Sequence, residues 1–222
     1  MLPHGEVGAC VAARTQERVL RFAGELGRLL PRRAAEPLPL DVVLGDFRLI
    51  GPLAGLTPAG WIGYRMAQIK APDYLQLWLH HLALNALDAQ EAVEVPRCSR
   101  WIGEGRDQQV ILEPLSDAAD LLTGLLDIYW QGTQRLLHFF PKSALVYIEN
   151  MRKKGGSAEK ALQAARFEWR GSERNHNFPE RDNPYYRLAF GDSDPLDAEF
   201  EQLTMSVLGP LFALIDRTKG QG

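Results

Sequence analysis

The chain has 222 residues, of which 45% are hydrophobic and 24% charged, and its formal net charge is −3 at pH 7. A chain of this length can bury one sizeable core, and this ordinary composition excludes a disordered, collagen-like or coiled-coil protein as the overall class. The slightly negative charge also excludes a protein that holds nucleic acid through its overall charge. Any contact with DNA must therefore be local.

The two cysteines, Cys10 and Cys98, are too few for a disulfide framework or for a zinc site of four cysteines. Such sparse cysteine usage is typical of a reducing compartment. The first residues lack the basic and apolar regions of a signal peptide, and no apolar run is long enough to cross a membrane. We therefore expect a cytoplasmic protein without a membrane segment.

The N-terminal third of the chain changes from a helical to a β-like pattern. Apolar residues recur at spacings of three and four from Arg14 to Leu30, which predicts an amphipathic helix that ends at Pro31. Short β-like runs at 40–44, 47–50 and 61–66 then predict a small antiparallel sheet of two or three strands.

A helix that begins at Pro72 and Asp73 follows, with Asp73 as its predicted N-cap. This helix is apolar on nearly all sides, so we expect it to lie buried against the sheet. It contains His80 and His81, but neighbouring residues of a helix point about 100° apart and neither histidine has a ligand partner at the i+4 position. Packing or hydrogen bonding is the expected role of both, rather than metal binding.

The second half of the chain is predominantly helical. A hairpin is predicted through 100–102 and 109–112, with the turn at 103–105. Helical patterns then follow at 117–129, 143–151, 158–169 and 196–215. We expect an α/β (α+β) fold with a helical lead-in over residues 1–37 and one main domain over residues 38–222.

Six motifs connect the chain to a known family. The motifs are 51–53 (GPL), 60–65 (GWIGYR), 73–82 (DYLQLWLHHL), 139–144 (FFPKSA), 167–171 (FEWRG) and 182–188 (DNPYYRL). In this order they resemble the C-terminal domain of RecC, the gamma subunit of exodeoxyribonuclease V. Because chains of this family are several times longer, the resemblance implies that the sequence is a fragment of a longer subunit.

The resemblance implies a core like that of PD-(D/E)XK nucleases, with a small mixed sheet, a central buried helix and a helical C-terminal half. Active members of that fold carry an Asp on one strand and an Asp-x-Lys on the next, because Mg²⁺ requires oxygen ligands. In this chain Ala54 and Gly63 stand at the two carboxylate positions, and Arg65 stands at the lysine position. The expected domain therefore has no catalytic residues, metal or cofactor of its own, and it does not cut DNA.

The resemblance further implies that the alpha and beta subunits of exodeoxyribonuclease V and DNA are partners in double-strand break repair. In that complex the domain would be a non-catalytic scaffold and an element of the DNA-strand path. Two alternatives stay open. One is a protein-interaction module without DNA contact, and the other is an active metal-dependent nuclease with relocated carboxylates. The candidates for that relocated set are Asp41, Asp46, Glu91 and Glu94.

Residues 152–187 carry nine basic residues against five acidic ones, whereas residues 192–216 carry six acidic residues and no basic one. Basic side chains interleaved with aromatic rings are typical of surfaces that bind single strands. An equally open alternative is a solvated loop whose aromatic residues pack in the core. The candidates for DNA contact are Arg65, Arg152, Lys153, Lys154, Arg170, Arg174 and Arg187, with Trp169, Tyr185 and Tyr186 for base stacking.

Overall fold

The computed structural model describes residues 4–31, 35–87, 95–105, 108–171 and 179–220, which form a mixed α/β structure. The helices are α1 (Gly5–Leu26), α2 (Ala71–Asn85), α3 (Ala118–Gln134), α4 (Pro141–Met151), α5 (Ala158–Arg170), α6 (Pro184–Phe190) and α7 (Ala198–Gly220). The strands are β1 (Leu38–Leu44), β2 (Phe47–Leu53), β3 (Leu56–Thr57), β4 (Gly60–Tyr64), β5 (Ser99–Ile102) and β6 (Gln109–Leu112). A 3₁₀ turn covers Glu180–Asp182. The mixed fold class and the helical C-terminal half are confirmed.

The strands form two sheets, so the prediction of one antiparallel sheet from residues 40–66 is wrong. β1 and β2 pair only with each other, in register from Leu38 opposite Leu53 to Leu44 opposite Phe47. The second sheet has the order β3-β4-β5-β6, and its central pair, β4 and β5, is parallel. The difference arises because α2 lies between β4 and β5 in the chain. A helical crossover of this kind joins strands that run parallel.

Gly60 allows the parallel pair to form at the start of β4. Its φ of +106° is one that residues with a side chain rarely adopt, and a Cβ added there would lie closer than 3.0 Å to the carbonyl oxygen of Cys98. Only glycine permits this approach between backbones. The adjacent amide, Trp61 N–H, donates to that same Cys98 oxygen at 3.0 Å.

Helix α2 lies in the core, as its sequence predicts. Leu77, Trp78 and Leu82 are almost completely buried, although Leu79 is 47% exposed. Asp73 is the third residue of the helix rather than its predicted N-cap, since the helix begins at Ala71 after Lys70. The Asp73 carboxylate still supports the helix start, because Oδ2 accepts the Lys70 backbone N–H at 2.7 Å.

Helix α1 begins nine residues before the predicted Arg14 and ends at Leu26, before a turn that leads to Pro31. Its first turns contain several alanines, which favour helix without producing the apolar repeat from which the start was predicted. Phe22 and Leu26 pack with Ile62 of β4 and Ile102 of β5 in a small second core. Residues 9–21 of the helix are exposed.

Candidate functional site

Ala54, Gly63 and Arg65 lie together in one cleft of about 360 Å³. The cleft is formed by the turn after β2, by β4 and the residue that follows it, by Trp101 of β5 and by residues 73–80 of α2. Its lining is mostly uncharged, and four of its eleven residues have aromatic rings. The lining residues are Ala54, Gly55, Trp61, Ile62, Gly63, Tyr64, Arg65, Asp73, Gln76, His80 and Trp101.

Gly63 has no room for a side chain. A Cβ added there would lie closer than 3.0 Å to ring atoms of both Trp61 and Trp101, a distance that real Cβ atoms do not reach. Both indoles are 3% exposed and belong to the core, so neither can move aside without opening the packing. Aromatic rings therefore fill the space at the position where the resemblance implies the second carboxylate of an active nuclease.

Arg65 is held by a carboxylate of the same cleft. Its Nε donates to Asp73 Oδ1 at 2.9 Å, a second bond joins Nη2 to Oδ2, and Nη2 also donates to the Gln68 carbonyl oxygen at 3.0 Å. Asp73 is 5% exposed, and the Arg65 side chain is 42% exposed. This paired geometry neutralises the guanidinium and fixes its fork, as bidentate pairs do.

Ala54 is exposed, and its carbonyl oxygen accepts a hydrogen bond from Trp61 Nε1 at 2.9 Å. Among the described residues that line the cleft, Asp73 is therefore the one carboxylate. Nor does the described part of the chain contain a group of three or more His, Cys, Asp or Glu side chains that could hold a metal ion.

The relocated carboxylates of the nuclease alternative do not line this cleft where the structure describes them. Asp41 on β1 accepts two hydrogen bonds from Arg48 of β2, and these lower the pKa of its carboxyl group. Asp46 is exposed in the turn between the same strands. Glu91 and Glu94 lie outside the described residues.

The two histidines of α2 have different surroundings. His80 stacks on Trp61, with ring centroids 4.5 Å apart, and its Nδ1 lies 2.8 Å from the Gln76 carbonyl oxygen. His81 is fully buried, and its Nδ1 lies 3.0 Å from Ser99 Oγ on β5. Burial disfavours the charged imidazolium and lowers the pKa of His81 to about 4.

The basic segment 152–187 is partly neutralised by the acidic segment that follows it. Arg152 forms a two-bond ion pair with Asp216 and lies over the Phe212 ring, with Cζ 4.6 Å from the ring centroid. Arg170 and Arg166 both pair with Asp194, at 2.7 Å and 3.0 Å. The charge separation along the sequence thus becomes charge pairing in the fold.

The aromatic candidates of this segment divide into core and surface. Trp169 is 2% exposed, with Phe140 at 4.4 Å and Tyr186 at 5.8 Å between ring centroids. Tyr185 is 80% exposed on α6, and the Arg187 side chain is exposed on the same helix. Lys153 and Lys154 are exposed after α4, whereas Arg174 lies outside the described residues.

Glu180 is a structural residue that the sequence patterns missed. Its buried carboxylate accepts the backbone N–H groups of Lys142 (3.0 Å) and Ser143 (2.7 Å) at the start of α4, and the Ser143 hydroxyl donates to it at 2.8 Å. Burial raises the pKa of its carboxyl group. The contact joins the motif at 139–144 to the segment before 182–188. The sequence gives no direct signal of this contact, since it shows only that both motifs are present and lie far apart in the chain.

The structure thus brings together Ala54 and Gly63, which the resemblance aligns with the two carboxylates of a nuclease, and Arg65, which it aligns with the lysine. The family model for the RecC C-terminal domain matches residues 1–152, about two thirds of the chain. The chain belongs to this family, and the predicted resemblance is confirmed. Motifs 167–171 and 182–188 lie beyond the matched residues.

Membership in this family connects the chain to DNA repair by a RecBCD-type complex, exodeoxyribonuclease V. A search among curated proteins found no match to the chain. None of the helices in the described ranges is long and apolar enough to span a membrane.

Proposed function

We propose that this domain is a non-catalytic, PD-(D/E)XK-like scaffold within a RecBCD-type complex. Three features support the proposal: a strand–strand–helix unit that brings Ala54, Gly63 and Arg65 into one cleft, the aromatic packing around Gly63, and the pairing of Arg65 with Asp73. Mg²⁺ needs several oxygen ligands at short range, and this cleft supplies one carboxylate that already has three hydrogen bonds.

The observation that carries the proposal is the space at Gly63. A merely lost carboxylate could be restored by one substitution, but here a side chain of any kind collides with Trp61 and Trp101. The packing has therefore closed the position. A domain built in this way keeps its fold without the metal chemistry.

Exposed apolar side chains support a role in protein contacts with the alpha and beta subunits or with the rest of the same subunit. Every residue from 129 to 136, over the end of α3 and the turn that follows it, is exposed. Among them Tyr129 is 68%, Trp130 55% and Leu136 60% exposed. Exposed aromatic groups of this kind are typical of interaction surfaces. Together with the paired arginines Arg152 and Arg170, they favour the protein-interaction alternative for this part of the molecule.

A DNA-strand path remains the second proposed role, on a narrower surface than the sequence predicts. Tyr185 offers an exposed ring for stacking, and Arg187, Lys153 and Lys154 offer exposed cations. Arg187 has no ion-pair partner among the described residues. These four side chains are the candidates for strand contact that are exposed and have no ion-pair partner among the described residues.

The test of the non-catalytic role is a cleavage assay on single-stranded and duplex DNA with Mg²⁺ or Mn²⁺. We expect no cleavage above that of a preparation carrying Asp73→Asn, which removes the charge of the cleft's carboxylate. Metal-dependent cleavage by the unaltered chain that disappears in this variant, with the variant still folded, would contradict the proposal.

A further inference from the structure

We propose that the cleft around Gly63 binds one unpaired nucleobase. This is a binding role for the emptied site itself, separate from the loss of catalysis and from the candidate surface on α6. Four properties of the cleft lead to it: its charge, its exposed ring faces, its hydrogen-bonding groups and its size.

The charge of the cleft argues against a phosphate as the ligand. Its one cation among the described lining residues, Arg65, already binds the Asp73 carboxylate through two bonds and the Gln68 carbonyl oxygen through a third. The pair is neutral as a unit, and an incoming phosphate would have to compete with a carboxylate that is 5% exposed. A neutral ligand meets no such competition.

The walls of the cleft present aromatic ring faces. Trp61 and Trp101 are buried beneath it, His80 stacks on Trp61 at 4.5 Å, and Tyr64 at the end of β4 is 51% exposed. The accessible rings are thus those of Tyr64 and His80, supported by indoles that cannot shift. Planar bases stack on rings of this kind regardless of sequence, because every base has a π face.

Besides the paired Arg65 and Asp73, the polar side chains of the cleft include those of His80 and Gln76, which together offer hydrogen-bond donors and acceptors. Because the Gln76 carbonyl oxygen can only accept, Nδ1 of His80 carries the proton in their 2.8 Å bond. In the neutral imidazole Nε2 is then an acceptor. The Gln76 side-chain amide has no hydrogen-bond partner among the described residues and offers both a donor and an acceptor. A base edge, which also combines donors and acceptors, matches this set better than a hydrocarbon side chain does.

The size of the cleft limits the ligand to about one ring system with its sugar. Its volume of about 360 Å³ lies at the lower end of the range for small-molecule sites. A base would have to be unstacked and unpaired to enter, since a duplex is far wider. The inference is therefore specific for single-stranded nucleic acid.

The experiment compares two probes on the full chain: a short oligothymidine and an abasic sugar–phosphate oligomer of the same length and charge. Binding is measured by fluorescence anisotropy and by quenching of tryptophan fluorescence. We expect the oligothymidine to bind at least about fivefold more tightly than the abasic oligomer, because stacking contributes a factor of this order per base. Equal affinity for the two probes, or no binding of either, would overturn the proposal.

Two substitutions locate the binding in the cleft. We expect Tyr64→Ala, which removes a stacking ring, and Gln76→Ala, which removes a hydrogen-bonding amide, each to reduce the affinity for oligothymidine by about fivefold, with no change for the abasic oligomer. The matched controls are Phe167→Ala, which removes a ring that is 57% exposed on α5, and Gln134→Ala at the end of α3. If the controls weaken binding as much as the cleft variants do, the base binds elsewhere and the proposal is wrong.

Failure of this inference is distinguishable from failure of the proposed function. The base-binding assay needs no divalent metal and reports affinity, whereas the cleavage assay reports turnover. Cleavage without base preference would contradict both. If the chain neither cleaves DNA nor prefers the oligothymidine over the abasic oligomer, only the proposal of base binding is contradicted.

Discussion

The sequence predicts DNA contacts both in the cleft around Gly63 and in the basic segment 152–187, but the structure has opposite consequences for the two predictions. In the cleft, residues 54, 63 and 65 are brought together, and the packing that joins them leaves no space for a carboxylate at Gly63. In the basic segment, Arg152 and Arg170 are turned toward acids of the following segment. Trp169 enters the core.

The comparison shows which sequence patterns predict the arrangement of residues in the folded chain. Residues on one strand and on the turn before it keep their relation in space, because the pairing of β3 with β4 sets their distance. A charge count over a long segment does not predict a charged surface, since each basic side chain can pair with an acidic side chain outside that segment. The first kind of signal locates a site, and the second describes only composition.

The largest effect that tests the comparison is steric. Gly63→Ala should lower the free energy of unfolding by about 3 kcal/mol, because its methyl group meets the rings of Trp61 and Trp101. For a chain of this length that is a fall in melting temperature of about 6 to 12 °C. Gly51→Ala on β2 is the matched control, since nothing lies within 4 Å of an added Cβ there. Equal stability of the two variants would refute the account of Gly63.

Acid pH provides the next test, through His81 on the core side of α2. Burial holds its pKa at about 4 in the folded chain, against an ordinary value of 6.5. The unfolded chain therefore takes up a proton first, and stability that is fully present above pH 6.5 is lost as the pH falls toward 4. The loss is about 3 kcal/mol.

Urea denaturation at a series of pH values measures this dependence. His81→Gln should flatten the curve between pH 6.5 and 4.5. The assignment fails if this variant, still folded, keeps the slope of the unaltered chain.

Ion pairs of the two regions should differ in strength. Asp73→Asn removes the charge from a buried carboxylate that holds Arg65 and the start of α2, so we expect a loss of about 2 kcal/mol. Asp194→Asn, which affects the pairs with Arg166 and Arg170, should lose less than about 1 kcal/mol, because these pairs lie at the surface and their side chains are partly exposed. Chemical denaturation measures both, and the reverse order would break the comparison.

The smallest expected effect concerns DNA affinity in the basic segment. Arg187→Ala should weaken binding of a single strand and lower the slope of log affinity against log salt by about 0.7, the value of one phosphate contact. Arg170→Ala should change neither quantity appreciably, because that guanidinium already pairs with Asp194. Titrations at several salt concentrations measure the slope. A larger effect of Arg170→Ala would show that ion pairing does not remove a cation from DNA binding.

Local patterns predicted much of the fold. The buried helix α2, the β1–β2 and β5–β6 hairpins and the helices α3, α4, α5 and α7 follow from apolar periodicity and glycine turns, whereas the short helix α6 was not predicted. The family motifs also located Ala54, Gly63 and Arg65 near one another. Each of these features depends on residues that are close in sequence.

The remainder depends on contacts between distant segments. The parallel pairing of β4 with β5 requires the path of the chain through α2, which no short pattern contains. The N-terminal extension of α1 has no apolar repeat at helical spacing beyond the exposed Val7 and Val11, and Glu180 acts on a helix that begins almost forty positions earlier in the chain. The aromatic filling around Gly63 joins Trp61 to Trp101 from another strand, so the sequence showed the missing carboxylate but not the closed space.

The most direct test of the central claim, that this site has lost its metal chemistry, is a calorimetric titration of the full chain with Mg²⁺ and with Mn²⁺. The account predicts no saturable heat up to millimolar metal, because Asp73 is the one carboxylate among the described residues of the cleft and it is bound to Arg65. Saturable binding that is lost in a folded Asp73→Asn variant would contradict it.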